Sequence, residues 1–213
     1  MDMRTSSQIS LKYEAPQFAQ AVGLQFDRFA NIFEPLGIAN YTADEAEFNK
    51  AIFGSFPNIL SKRFDSRASI MESNEVKALK SQAAKIFQGR ILSQLTNLLQ
   101  QPGFKQTLAN YVRSKATLDE SGVELVKFLK DGTSITQTFD QEFIDNITSS
   151  EWEAEYTFSD NPTIIVFKKG GNRRSDKLLQ FRYRADARQN KSDNTFNILM
   201  RTYVEAGPLI YTL

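Results

Sequence analysis

Through the first two-thirds of the chain, apolar positions recur every three or four residues, the period of a helix with one buried face. Phe18, Val22, Phe26, Phe29 and Phe33 form one such stripe and predict a helix ended by Pro35 and Gly37. Thr42 ahead of Asp44 and Glu45 is an N-cap followed by first-turn acids, and the helix it opens carries Phe48, Ile52 and Phe53. Pro57 starts a further short segment. The strongest pattern runs from Glu72 to Gln100, through Val76, Leu79, Ala83, Ile86, Phe87, Ile91, Leu95, Leu98 and Leu99, until Pro102-Gly103 stops it. A helix of that extent is about 42 Å long, enough to cross a domain. Shorter helices are expected near Phe104–Ser114, Asp119–Lys130 and Phe139–Ile147, with Gly132 as the C-cap between the last two.

Near Ser149 the period changes to two. Trp152, Ala154, Tyr156 and Phe158 alternate with Glu153, Glu155 and Thr157, which predicts a strand. Asp160-Asn161-Pro162 is a turn, Thr163–Lys169 a second strand, and Gly170-Gly171-Asn172 a second turn. A third strand follows with Leu179, Phe181 and Tyr183 on one side and Gln180, Arg182 and Arg184 on the other. Phe196–Val204 fits a fourth strand or a short helix, and Gly207-Pro208 ends it. The expected class is therefore α+β, with helices packed against a small antiparallel C-terminal sheet. The chain divides into a loose polar end over 1–10, a helical region over 11–149 and a basic β-rich region over 150–213 that shares its core with the helices.

Composition narrows the chemistry. With no Cys, disulfides, thiolate zinc sites and cysteine nucleophiles are excluded, and with no His, so are Ser-His-Asp hydrolysis and histidine-ligated zinc. Carboxylates that hold Mg²⁺ remain. No Gly-x-Gly-x-x-Gly or phosphate-binding loop is present. The longest apolar runs are a few residues, far from the roughly 18 that a membrane span needs, and no signal-peptide pattern opens the chain, so a cytoplasmic protein is expected.

Charge is unevenly distributed. The whole chain is +1, but residues 168–213 hold ten Lys and Arg against four acids, leaving the rest at −5. The basic cluster comprises Lys168, Lys169, Arg173, Arg174, Lys177, Arg182, Arg184, Arg188, Lys191 and Arg201. Arginine forks and the Gln180 amide match phosphate oxygens and base edges, which points to nucleic acid as partner. Arg173 and Arg174 fall at a hairpin tip that could enter a groove. The competing reading is a solvated sheet face.

Within this cluster, Lys169-Gly170-Gly171 followed by Leu179-Gln180-Phe181-Arg182 resembles a C-terminal segment of some type II restriction endonucleases, a Lys-Gly-Gly turn leading into a Leu-Gln-Phe-Lys/Arg strand. The family has Asp after the glycines where this chain has Asn172. The resemblance implies a PD-(D/E)XK nuclease core, Mg²⁺, duplex DNA as substrate and a homodimer. The letters of such a core occur as Asp65 followed by Glu75-Val76-Lys77: two carboxylates for Mg²⁺ and a lysine to orient water or stabilise phosphate charge. The same residues are equally ordinary first-turn charges on a helix. A second carboxylate–lysine pair, Glu153 opposite Lys168, is expected from the first hairpin, as half a metal site or a cross-strand ion pair. Trp152 packs or stacks on a base. Three functions follow: a Mg²⁺-dependent endonuclease, a DNA-binding protein without catalysis, or a structural protein of a phage or other assembly.

Overall fold

The structure is a computed structural model that describes residues 8–13, 19–20, 24–25, 30–38, 64–117, 123–128, 131–158, 162–173, 176–190 and 195–206. The helices expected around Phe48 and after Pro57, and the turn at Gly207-Pro208, lie outside these.

The α+β class holds. Its helical spine runs from Asn74 to Leu99: α3 (Asn74–Ile86) passes through a π-helical turn (Phe87–Leu92) into α4 (Ser93–Leu99). Ser66 opens a preceding helix, α2 (Arg67–Glu72), with a reciprocal capping box in which Ser66 and Ser69 each satisfy the other's backbone N–H. In the π turn, the Gln94 amide donates to the Arg90 carbonyl at 3.3 Å, covering an oxygen at the irregular turn. α5 (Phe104–Thr117) and α6 (Gln141–Ser149) follow the expected spacing, and Asp140 caps α6 by accepting from the Phe143 N–H at 3.1 Å.

The C-terminal sheet is antiparallel and is built from two short strands, β2 (Ala19–Gln20) and β3 (Leu24–Gln25), and four long ones that pair in chain order. Its four long strands are β6 (Trp152–Phe158), β7 (Pro162–Lys168), β8 (Lys177–Asn190) and β9 (Thr195–Ala206). One face meets the helices. Phe181 packs against Phe33 and Tyr111 at ring-centroid distances of 5.6 and 6.4 Å, and Trp152 donates its indole N–H to the Ile147 carbonyl at 2.9 Å. Burying a Phe of this kind is worth about 1.5–3 kcal/mol. A single cluster of buried side chains joins Ile32 and Phe33 with the spine, α5, α6 and the inner face of the sheet.

Three segments depart from the helical expectation. Gln8–Tyr13, within and beyond the supposed loose end, forms β1, whose Ile9, Leu11 and Tyr13 alternate with Gln8, Ser10 and Lys12. Its parallel partner is β4 (Val123–Phe128), which replaces the helix expected over Asp119–Lys130. β4 turns back antiparallel into β5 (Ser134–Thr138). Gly132 does adopt the left-handed conformation (φ 84°), but in this hairpin turn, not at a helix end; the Asp131 carboxylate accepts from the Thr133 N–H and hydroxyl beside it. The stripe from Phe18 to Phe33 is also broken. β2 (Ala19–Gln20) and β3 (Leu24–Gln25) pair with β9, and among the described residues of the stripe α1 (Ala30–Phe33) alone is helical, before a 3₁₀ turn at Glu34–Leu36. The edge of β9 offers these residues backbone partners that a local helix does not, and Phe18, Val22, Phe26 and Phe29 of the stripe lie outside the described residues.

Candidate nucleic-acid interface

The basic residues separate into two places. The first is the β7–β8 turn. A β-bulge pairs Val166 with Leu179 but Phe167 with Lys177, leaving Leu178 as the extra residue. The turn itself is wound tightly. Asp176 returns a backbone N–H to the Asn172 carbonyl at 2.8 Å and its carboxylate accepts the Asn172 N–H at 2.5 Å. A Cβ on Gly171 would meet the Asp176 Oδ2 at 2.5 Å, so this glycine allows the close approach, while Gly170 supplies the left-handed φ of 74°.

The cations at this turn face acids of the same molecule. Arg173 is ion-paired with Glu155, Nε to Oε2 at 2.5 Å. Glu151 accepts a hydrogen bond from Lys105; that bond, the charge of Lys105 and then that of Lys169 hold its carboxyl below the ordinary range. Lys168 and Lys169 are exposed, and Arg174 lies outside the described residues. The expected pairing of Glu153 with Lys168 is not formed. Glu153 lies opposite Phe167 and Lys168 opposite Trp152, a one-residue shift that sends the two charges to opposite sides of the sheet.

Gln180 was expected to share an exposed face with Arg182 and Arg184. It is instead only 5% exposed, and its Oε1 accepts from the Lys177 ammonium at 3.0 Å. The bulge brings these two residues to one side, and the bond helps to satisfy a buried amide. Arg182 is half-buried and stands opposite Thr163 on β7 and Tyr203 on β9.

The second place is the distal part of the β8–β9 hairpin. β7 accompanies β8 only as far as Arg182, and β3 reaches β9 only at Thr202 and Arg201. From Ala185↔Met200 to Asn190↔Thr195, among the described residues, each strand pairs only with the other. These six pairs form a two-stranded ribbon about 20 Å long beyond the sheet. At its base Arg184 and Arg201 are directly opposed, and further out Arg188 stands opposite Asn197. Lys191, in the connecting loop, lies outside the described residues. Residues 183–202 carry four Lys and Arg against two Asp. Sequence reasoning had the arginines but not this location. The signal was available in the length of alternating sequence from Lys177 onward, which exceeds that of β7.

The carboxylate–lysine letters fall elsewhere. Asp65 is exposed ahead of α2, and Glu75 and Lys77 are exposed in the first turn of α3. Two positions apart on a helix, Glu75 and Lys77 point about 200° apart around the axis, whereas a strand would hold both on one side. Among the described residues, no three acidic side chains gather as a metal-holding group, and no helix is long and apolar enough to cross a membrane. No known protein family, curated protein or solved structure matches the chain.

Proposed function

We propose that this protein binds duplex DNA, with the β8–β9 ribbon as the binding element. The observation that carries this reading is the register pair Arg184↔Arg201 at the base of a ribbon that outlasts its own sheet. Like charges directly opposite each other cost a sheet stability, so their placement is better matched to a polyanion than to the fold. A two-stranded ribbon also has the width that the DNA major groove admits, about 12 Å. The turn cations contribute less, because Arg173 is already neutralised by Glu155.

The test is retention on duplex DNA across a salt series. The full chain should lose affinity steeply with salt, and the Arg184→Ala/Arg201→Ala variant should bind more weakly with a salt slope smaller by about 2, one for each lost phosphate contact. Arg173→Ala should bind as the parent does. Salt-independent binding, or equal losses in all these variants, would refute the ribbon as the interface.

Hydrolysis of the bound duplex is the second reading. It rests on the restriction-endonuclease resemblance, whose Lys169-Gly170-Gly171 turn does lead into a strand here. In that reading Asp65 and Glu75 hold Mg²⁺ and Lys77 assists, which requires α3 to present residues two apart to one phosphate. Plasmid incubated with the protein and Mg²⁺, with an EDTA control, decides it: cutting that EDTA abolishes supports hydrolysis, and intact plasmid leaves DNA binding without catalysis.

A further inference from the structure

Resting on the DNA-binding reading, we infer that the ribbon reads base sequence in the major groove, with Arg188 and Asn197 as the specificity-determining pair. The strand period of two sorts the ribbon into two rows. One contains Arg184, Asp186, Arg188 and Asn190 on β8, opposite Arg201, Leu199, Asn197 and Thr195 on β9. The other contains Tyr183, Ala185, Ala187 and Gln189, opposite Thr202, Met200, Ile198 and Phe196. All the charged residues of these pairs are thus in one row and nearly all the apolar bulk in the other.

The first row has the residue types that distinguish base pairs. An arginine fork matches O6 and N7 of guanine, an asparagine amide matches N6 and N7 of adenine, and an aspartate accepts from the amino group of cytosine. Asp186 is the informative member. A ribbon that only grips phosphates gains nothing from an acid between two arginines, because the acid repels the backbone it must approach. Facing base edges, the same acid has a donor to accept from. Arg184 and Arg188 are four residues apart on β8, about 13 Å along the strand, which corresponds to roughly four base steps at 3.4 Å each. In this reading the pair at the foot of the ribbon, Arg184↔Arg201, takes phosphates at the groove edge, and Arg188↔Asn197, two pairs from the ribbon's described end, takes the bases.

The experiment enriches bound sequences from a randomised duplex pool, then measures the affinity of the full chain for the enriched duplex and for an unrelated one. The parent should prefer its enriched site, with a guanine whose N7-methylation weakens binding, since that atom lies in the major groove. Arg188→Ala should lower affinity for the enriched duplex by about tenfold or more while changing the unrelated duplex little. Arg188→Lys should keep part of the guanine preference. Arg184→Ala should instead weaken both duplexes alike. No enrichment, indifference to N7-methylation, or an Arg188→Ala loss equal on both duplexes would overturn base reading while leaving DNA binding intact. Absence of retention on any duplex would overturn the underlying reading as well.

Discussion

Tyr111 of α5 is buried against Phe181, and its hydroxyl finds no hydrogen-bond partner among the described residues, so burial pushes its ionisation far above the ordinary range. Such an orphan donor costs about 1–3 kcal/mol of desolvation. Tyr111→Phe keeps the ring and the contact with Phe181 and removes the cost. It should raise stability by about 1 kcal/mol, or about 2–4 °C in melting temperature for a chain of this size, measured by thermal or urea unfolding. A loss of stability would mean the hydroxyl has a structural role. None of this was visible in the sequence, where Tyr111 is one more residue at helical spacing. Gln180 teaches the same lesson on the sheet: the two-residue period marked its side of the strand, but whether that side meets water depends on what covers it, and Gln180 is buried. Arg173 was legible as a cation, not as the partner of Glu155, because the pairing depends on the register of two strands joined by an irregular turn.

At the level of elements, α6 depends on its cap. The Phe143 N–H, and after it the Thr138 hydroxyl, hold the Asp140 carboxyl below its ordinary value. A carboxyl depressed in the folded state stabilises the protein fully above the unfolded value, near 3.8, and loses that contribution as pH falls through the lower folded value. Asp140→Ala should therefore cost about 1 kcal/mol at neutral pH, and its stability deficit against the parent should shrink below about pH 4, as followed by urea unfolding across pH. A deficit constant down to pH 2 would contradict the cap assignment. Elements with strong local signals were legible: the spine, α5, α6 and β6 through β8, while the segment of β9 fitted a strand or a short helix. Those that rely on distant partners were not. β1 and β4 pair across more than a hundred residues, and β2 and β3 exist only because β9 presents an edge, so no short window of sequence contained the deciding contact.

Across the whole molecule, one core holds the helices to the inner face of the sheet, while β8 and β9 continue past the strands that flank them. The basic C-terminal third is consequently two surfaces. At the β7–β8 turn, Arg173 is paired with Glu155 and Lys169 acts on the charge of Glu151; along the ribbon, Arg184 and Arg201 oppose each other. The charge asymmetry that marks the candidate site was legible in the residue order, but net charge carries no information about which cations a fold neutralises itself. Because the six outer ribbon pairs have no other described strand partner, their removal should spare the core. The most direct measurement replaces residues 185–200 with Asn-Gly, a dipeptide that closes a two-residue hairpin between Arg184 and Arg201, and compares duplex-DNA affinity at fixed salt with that of the parent. The ribbon reading predicts a protein with parent-like circular dichroism and a loss of affinity of about tenfold or more. A folded variant that binds DNA as tightly as the parent would contradict it.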